Sequence, residues 1–211
     1  MMTEDSYMIP VIFHNLKGYD SHLIFQYVTP EYAPNSIDVI PITSEKFLSF
    51  QIGNLRFLYS LQFLTASLDT LVQSLAADSR DKFSHTARHY SDSDLVFAKG
   101  NYPYENMDGR DNFLLTELPP IDAFYSSLSE ETITPEEYKR AQKVWREFKI
   151  KNMQQYHDLY LILDVLLLAD VFDADVHLGL RTRPRTLLYF TRIHIRCVSQ
   201  IYRTGIGPVY R

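Results

Sequence analysis

The amino-acid sequence predicts an α/β protein, a mixed sheet flanked by helices, from three observations. A β-branched run near the start, IPVIF at Ile9–Phe13, stops at His14-Asn15 as a buried strand does. Two apolar segments meet at Gly53-Asn54, and the body of the chain closes on two long helical patterns. Strand, loop, helix, hairpin and terminal helices in this order fit helices packed on a sheet.

Each element follows from its residues. After Leu16-Lys17-Gly18, the stretch 19–28 has helical apolar spacing through Leu23, Ile24 and Tyr27, and 37–42 reads as a second strand. Segments 47–52 and 55–61 form a hairpin, because Gly-Asn tolerates the positive φ of a tight turn. Leu68, Leu71, Val72 and Leu75 share one helical face, with Ser67 as N-cap. Residues 76–120 are polar and irregular, with a turn at Lys99-Gly100, and read as a long functional or mobile connection. Thr134-Pro135-Glu136-Glu137 has a capping Thr, Pro at the first helical position and Glu three residues after the cap, opening a helix that runs to Phe148. A more apolar helix covers 153–176.

Composition narrows the function classes. The 211 residues suffice for one core and are short for two full domains. A single cysteine, Cys197, excludes a disulfide framework and a cysteine-built zinc site, and fits a reducing compartment. No apolar run is long enough for a membrane span, and the acidic N-terminus does not read as a secretion signal. All 26 acidic residues fall in 1–175, whereas 176–211 holds seven arginines and no acid. The acidic body argues against a general polyanion-binding module, yet suits an enzyme that gathers carboxylates around metal ions.

Two carboxylates stand out. Asp164 lies in LYLILDVLLLADVF, where an ionised group needs a cation, hydrogen-bond donors or a wet cleft. Tyr160, four residues earlier, shares its face, so a phenol and a carboxylate point together. The alternative is that Asp164 faces solvent or caps a neighbour. Asp20, in HNLKGYD, follows a strand-ending Asn15 at a carboxyl edge of the sheet, where α/β sites form; its alternative is a plain helix N-cap.

Asn-x(3)-Tyr-Asp near the N-terminus and Tyr-x-x-x-Asp in a late apolar helix resemble the second and third exonuclease motifs of family B DNA polymerases. The protein-primed branch, found in phages, linear plasmids, viruses and self-replicating transposons, is the more similar. FHNLKGYDSHLI, SLQFLTASLDTL, KGNYPYENMD, LPPIDAFYSSL, EEYKRAQKVWREFK and YHDLYLILDVLLLADVF carry the resemblance over roughly 10–175. It implies a partial 3′–5′ exonuclease domain of RNase H-like fold over 1–175, incomplete at its N-terminus, and an irregular Arg-rich tail over 176–211.

The resemblance also implies roles. Asp20 and Asp164 correspond to metal carboxylates of a site for two Mg²⁺ or Mn²⁺ ions, Tyr160 to the residue that orients the attacking water, and Lys99 to the branch's catalytic-site lysine. Asn15, Tyr19, Ser60, Leu61 and Tyr104 correspond to positions that grip single-stranded DNA, as aromatics stack on bases and small polar groups bond phosphates. An ordinary turn at Lys99 and Tyr104, and an ordinary strand end at Ser60-Leu61, are the competing readings. The implied partners are single-stranded and primer–template DNA, with deoxynucleoside triphosphates and a terminal protein for the intact polymerase, and no membrane. The implied setting is intracellular, in a host nucleus or a viral or organellar replicon.

The sequence departs from the family in four places. It contains no Asp-x-Glu, the first exonuclease motif, and neither the Ser-Leu-Tyr-Pro nor the Asp-Thr-Asp motif of a polymerase palm. Tyr59 stands where relatives tend to carry aspartate. Beyond Phe172 the likeness stops, and 179–211 reads as shifted-frame or mis-spliced translation or, alternatively, as a basic nucleic-acid arm. Asp170 and Asp173 are expected to be a solvated or helix-end set, and His85-x(3)-His89 a solvated pair.

Overall fold

The computed structural model describes residues 8–14, 24–26, 37–41, 47–60, 64–90, 93–127 and 129–180. Its β-strands are β1 (Ile9–Phe13), β2 (Ile37–Pro41), β3 (Phe47–Ile52) and β4 (Leu55–Tyr59). They form one sheet in the order β1-β4-β3-β2. β1 runs parallel to β4, and the other neighbours are antiparallel, so the sheet is mixed.

Gly53 sits at φ 56°, a left-handed conformation that costs a glycine little, and lets β3 turn directly into β4 with Ile52 opposite Leu55. That register puts Phe50 against Phe57, stacked at 4.5 Å between ring centroids. Alternation places Phe50 and Ile52 on the same side as Phe57 and Tyr59, and this face forms the local core. Val11, Phe13, Ile24 and Phe25 pack against it, with the 24–26 stretch helical as expected. The rest of the helix expected at 19–28 lies outside the described residues. β2 ends at Pro41 with an irregularity after Ile40, since proline has no N–H to give to a ladder.

The chain divides into two compact units, Met1–Ala66 with Asp175–Arg211, and Ser67–Ala174. The second is helical: α1 (Leu68–Asp78), α2 (Ser84–His89), α3 (Pro135–Glu147) and α4 (Met153–Leu180), the last continuing past the division. Ser67 Oγ accepts from Thr70 N at 3.2 Å, the expected cap of α1, whose Leu68, Val72 and Leu75 are buried. At α3 the capping box is complete: Thr134 Oγ1 accepts from Glu137 N at 3.3 Å, and the Glu137 carboxylate accepts from Thr134 N at 2.7 Å.

The polar stretch 76–120 is not an open connection. It contains α2 and short 3₁₀ turns, among them Asp94–Val96 and Tyr104–Asn106, and it buries Phe83, Val96 and Tyr102. A few apolar residues spaced between polar ones are enough to pin each turn to the core, and such spacing carries no regular period. Val96 and Tyr102 join Ala141 of α3 and Met153, Tyr156, Leu159, Tyr160 and Leu163 of α4 in one cluster.

Candidate active site

Tyr160 and Asp164 occupy one face of α4 a turn apart, and the tertiary structure brings Lys99 to both. Lys99 Nζ donates to Tyr160 Oη at 2.7 Å and to Asp164 Oδ2 at 3.3 Å. The ammonium also stands 5.1 Å from the centroid of the Tyr160 ring. Tyr104 completes the group, its hydroxyl 2.5 Å from that of Tyr160, while 65% of the residue is exposed. Four of the residues read from the sequence thus converge within the second unit, although 61 positions separate Lys99 from Tyr160.

Glycine at position 100 lets the backbone beside Lys99 come close to Tyr160: a Cβ there would lie 3.2 Å from Cδ2 of its ring, a tight contact. Tyr102 stacks on the Tyr160 ring at 5.1 Å, and its hydroxyl pairs with His157 Nδ1 at 2.9 Å. Tyr156, from the same helix, donates to the Asn101 carbonyl at 2.8 Å. Aromatic packing and backbone hydrogen bonds therefore hold segment 99–104 against α4.

The electrostatics follow from burial. Desolvation, then the Asp164 carboxylate, pushes the Tyr160 phenol well above the ordinary tyrosine range. Most of Tyr104 is exposed, but its hydroxyl turns in against Tyr160, where desolvation first, then that hydrogen bond, raises it above its ordinary value against the opposing pull of Lys99. Both phenols keep their protons at neutral pH and can donate them in hydrogen bonds. Asp164 Oδ1 is buried and has no hydrogen-bond partner among the described residues, beside a lysine and a phenol.

Ser60 lies in the first unit, immediately after β4. It is fully buried, with Oγ 2.9 Å from His14 Nδ1 at the end of the neighbouring parallel strand. Its hydroxyl is engaged inside the protein, and His14 is a partner that sequence reasoning did not supply. Asn15, Tyr19, Asp20 and Leu61 lie outside the described residues.

Two expectations near this site are corrected. Asp170 is not solvated: it is fully buried, and its carboxylate accepts from His85 N at 2.7 Å and Thr86 N at 3.0 Å, capping α2. His85 is not half of a solvated pair, because its ring is buried and its Nε2 lies 2.6 Å from Asp173 Oδ2. The three-residue interval between His85 and His89 reflects a short helix anchored at its start. No signal in the local sequence separates that anchor from an exposed acidic helix end.

A magnesium pair needs several hard oxygen ligands. Among the described residues no group of three or more His, Cys, Asp and Glu could hold a metal ion, and Asp164 is the only carboxylate within this four-residue group. The described residues by themselves therefore do not fit a two-metal site. Among them, too, no helix is long and apolar enough to cross a membrane. Compared with protein-family models, curated proteins and solved structures, the chain matches none.

Proposed function

We propose that this chain is a portion of a family B DNA polymerase of the protein-primed type, carrying most of a 3′–5′ exonuclease domain of RNase H-like fold. The observation that carries the reading is the convergence of Lys99, Tyr104, Tyr160 and Asp164, each singled out by its motif, from two segments of the chain. An α/β architecture with a mixed sheet is compatible with it.

In this reading the frayed 3′ end of a DNA strand lies against exposed Tyr104, whose ring face suits a base or sugar. The Lys99 ammonium stands next to the scissile phosphate and offsets the charge that develops on its oxygens. Tyr160, held protonated, donates a hydrogen bond that fixes the attacking oxygen, and Asp164 Oδ1 is free to accept from it or to bind a cation. In the intact protein Mg²⁺ or Mn²⁺, held through Asp164, Asp20 and carboxylates of the first motif, would supply an activated water and stabilise the leaving 3′ oxygen. The intact polymerase would extend a protein-borne primer with deoxynucleoside triphosphates.

The sequence has no Asp-x-Glu, so the chain alone is expected to bind single strands weakly and to hydrolyse little or nothing. Fluorescence anisotropy of the full chain with a labelled oligonucleotide at low ionic strength tests the first part. Binding that prefers single strands to duplex and weakens in Lys99→Met and Tyr104→Ala supports the reading, and binding indifferent to both variants overturns it. Magnesium-dependent release of 3′ nucleotides, abolished by Asp164→Ala, would overturn the expectation of inactivity. The lack of an Asp-x-Glu in the sequence favours one rival, an inactive exonuclease-like module that binds single-stranded DNA. That rival predicts binding independent of Mg²⁺ and of Asp20→Ala.

A further inference from the structure

The tip of Lys99 is held by Tyr160 and Asp164, and its backbone is held from another side. Arg140, on α3, donates from Nη1 to the Lys99 carbonyl at 2.7 Å and from Nη2 to the Leu95 and Ala98 carbonyls at 2.8 and 2.7 Å. Among the described residues these three bonds are all the hydrogen bonds its side chain makes, and it forms no ion pair with a carboxylate. Half-buried, it is a guanidinium devoted to one loop.

We propose that Arg140 is the positioning residue for Lys99, clamping the backbone of 95–99 so that the lysine ammonium is delivered to Tyr160 and Asp164. Three carbonyl oxygens converging on one point repel one another, and a cation with a planar fork of donors offsets that repulsion while fixing their directions. The adjacent Gly100 backbone comes close to the Tyr160 ring, so the peptide after Lys99 is held between Arg140 on its carbonyl side and the phenol on the other. A lysine at 140 would bring a compact charge without the fork, and a neutral residue would leave three carbonyls crowded. Burial lowers the guanidinium's affinity for its proton, and the three carbonyl oxygens offset part of that cost. The idea rests on the exonuclease reading for its meaning, but its geometry can be tested without it.

The experiment is competitive labelling of the full chain with an amine-reactive reagent, read at each lysine by mass spectrometry. In Arg140→Gln, Lys99 is expected to react about tenfold faster, the factor that loss of one charge-assisted hydrogen bond implies for the open state. Lys139 and Lys143, on the same helix, serve as controls and stay unchanged. Added guanidinium ion slows Lys99 labelling again, and Arg140→Lys, which keeps the charge if Arg140→Gln does not fold, gives an intermediate rate. Unchanged Lys99 labelling in a folded variant, or equal acceleration of the control lysines, would overturn the proposal and leave Arg140 a structural residue. Faster Lys99 labelling with unaltered oligonucleotide binding would sustain the positioning role and count instead against the DNA-binding reading.

Discussion

Where α4 carries Asp170, both carboxylate oxygens are taken by backbone N–H groups at the start of α2; where it carries Asp164, one oxygen faces Lys99 and the other has no partner among the described residues. Both lie on one helix among leucines, so composition does not distinguish them. The difference is in what the neighbouring chain offers. Two amide donors engage both oxygens of one carboxylate, whereas a single ammonium engages only one oxygen of the other. A buried acid is therefore a candidate for function only after its oxygens have been counted.

The contrast can be broken first at Asp170. Asp170→Ala strands two buried amide donors, and urea denaturation is expected to show a loss of about 3 kcal/mol. Asp170→Asn, which keeps one acceptor, should lose less. Equal stability of wild type and Asp170→Ala would remove the structural half of the comparison.

The second prediction concerns pH. The hydrogen bond to Asp173 raises the His85 imidazole above its ordinary value against the opposing cost of burial, with Asp170 adding attraction and Arg88 opposing it. A raised folded value means that protonated His85 stabilises the fold fully below about pH 6.5 and that this contribution is lost as pH rises through the folded value. Asp170 has the same sign, because burial lifts its carboxyl above the usual range, so its share is lost as pH rises through a lower, acidic window. Denaturation of Asp173→Asn across neutral pH should show a flatter profile than wild type. An identical slope would remove His85 from the account.

Around Asp164 the expected effects on stability are small and those on binding larger. Lys99→Met and Asp164→Asn should each change unfolding free energy by about 1 kcal/mol or less, since the pair is partly solvated. In oligonucleotide titrations Lys99→Met should reduce the salt slope by about 0.7, the value of one phosphate contact on a single strand. The smallest change is expected for Gly100→Ala. Its methyl group meets Tyr160 at 3.2 Å, and a sub-ångström shift of the ring should appear as altered Tyr160 chemical shifts with near-native stability. A strongly destabilised Gly100→Ala would mean that the ring has nowhere to go.

Much of the fold was legible because its causes are local. Gly53-Asn54 marks the hairpin, and Thr134 with Glu137 starts α3 where the capping box puts it, since both rest on bonds within four residues. Tyr160 and Asp164 could be paired from helical spacing alone. The joining of Lys99 to Tyr160, the carbonyl clamp of Arg140 and the burial of His85 with Asp170 are long-range, and each pairs residues at no regular interval. Residues 76–120 read as an irregular functional or mobile connection for the same reason: short 3₁₀ turns anchored by single apolar side chains leave no period to read.

The amino-acid sequence by itself determined the α/β class, the turn and cap positions, the helix that carries a phenol and a carboxylate on one face, and the acid-free character of 176–211. Only the tertiary structure decided which acid on that helix is spent and which is open. Local order depends on backbone geometry and neighbours a few residues away, both written in the chain. The state of a buried charge depends on donors brought from elsewhere, and those are assigned only when the chain has packed.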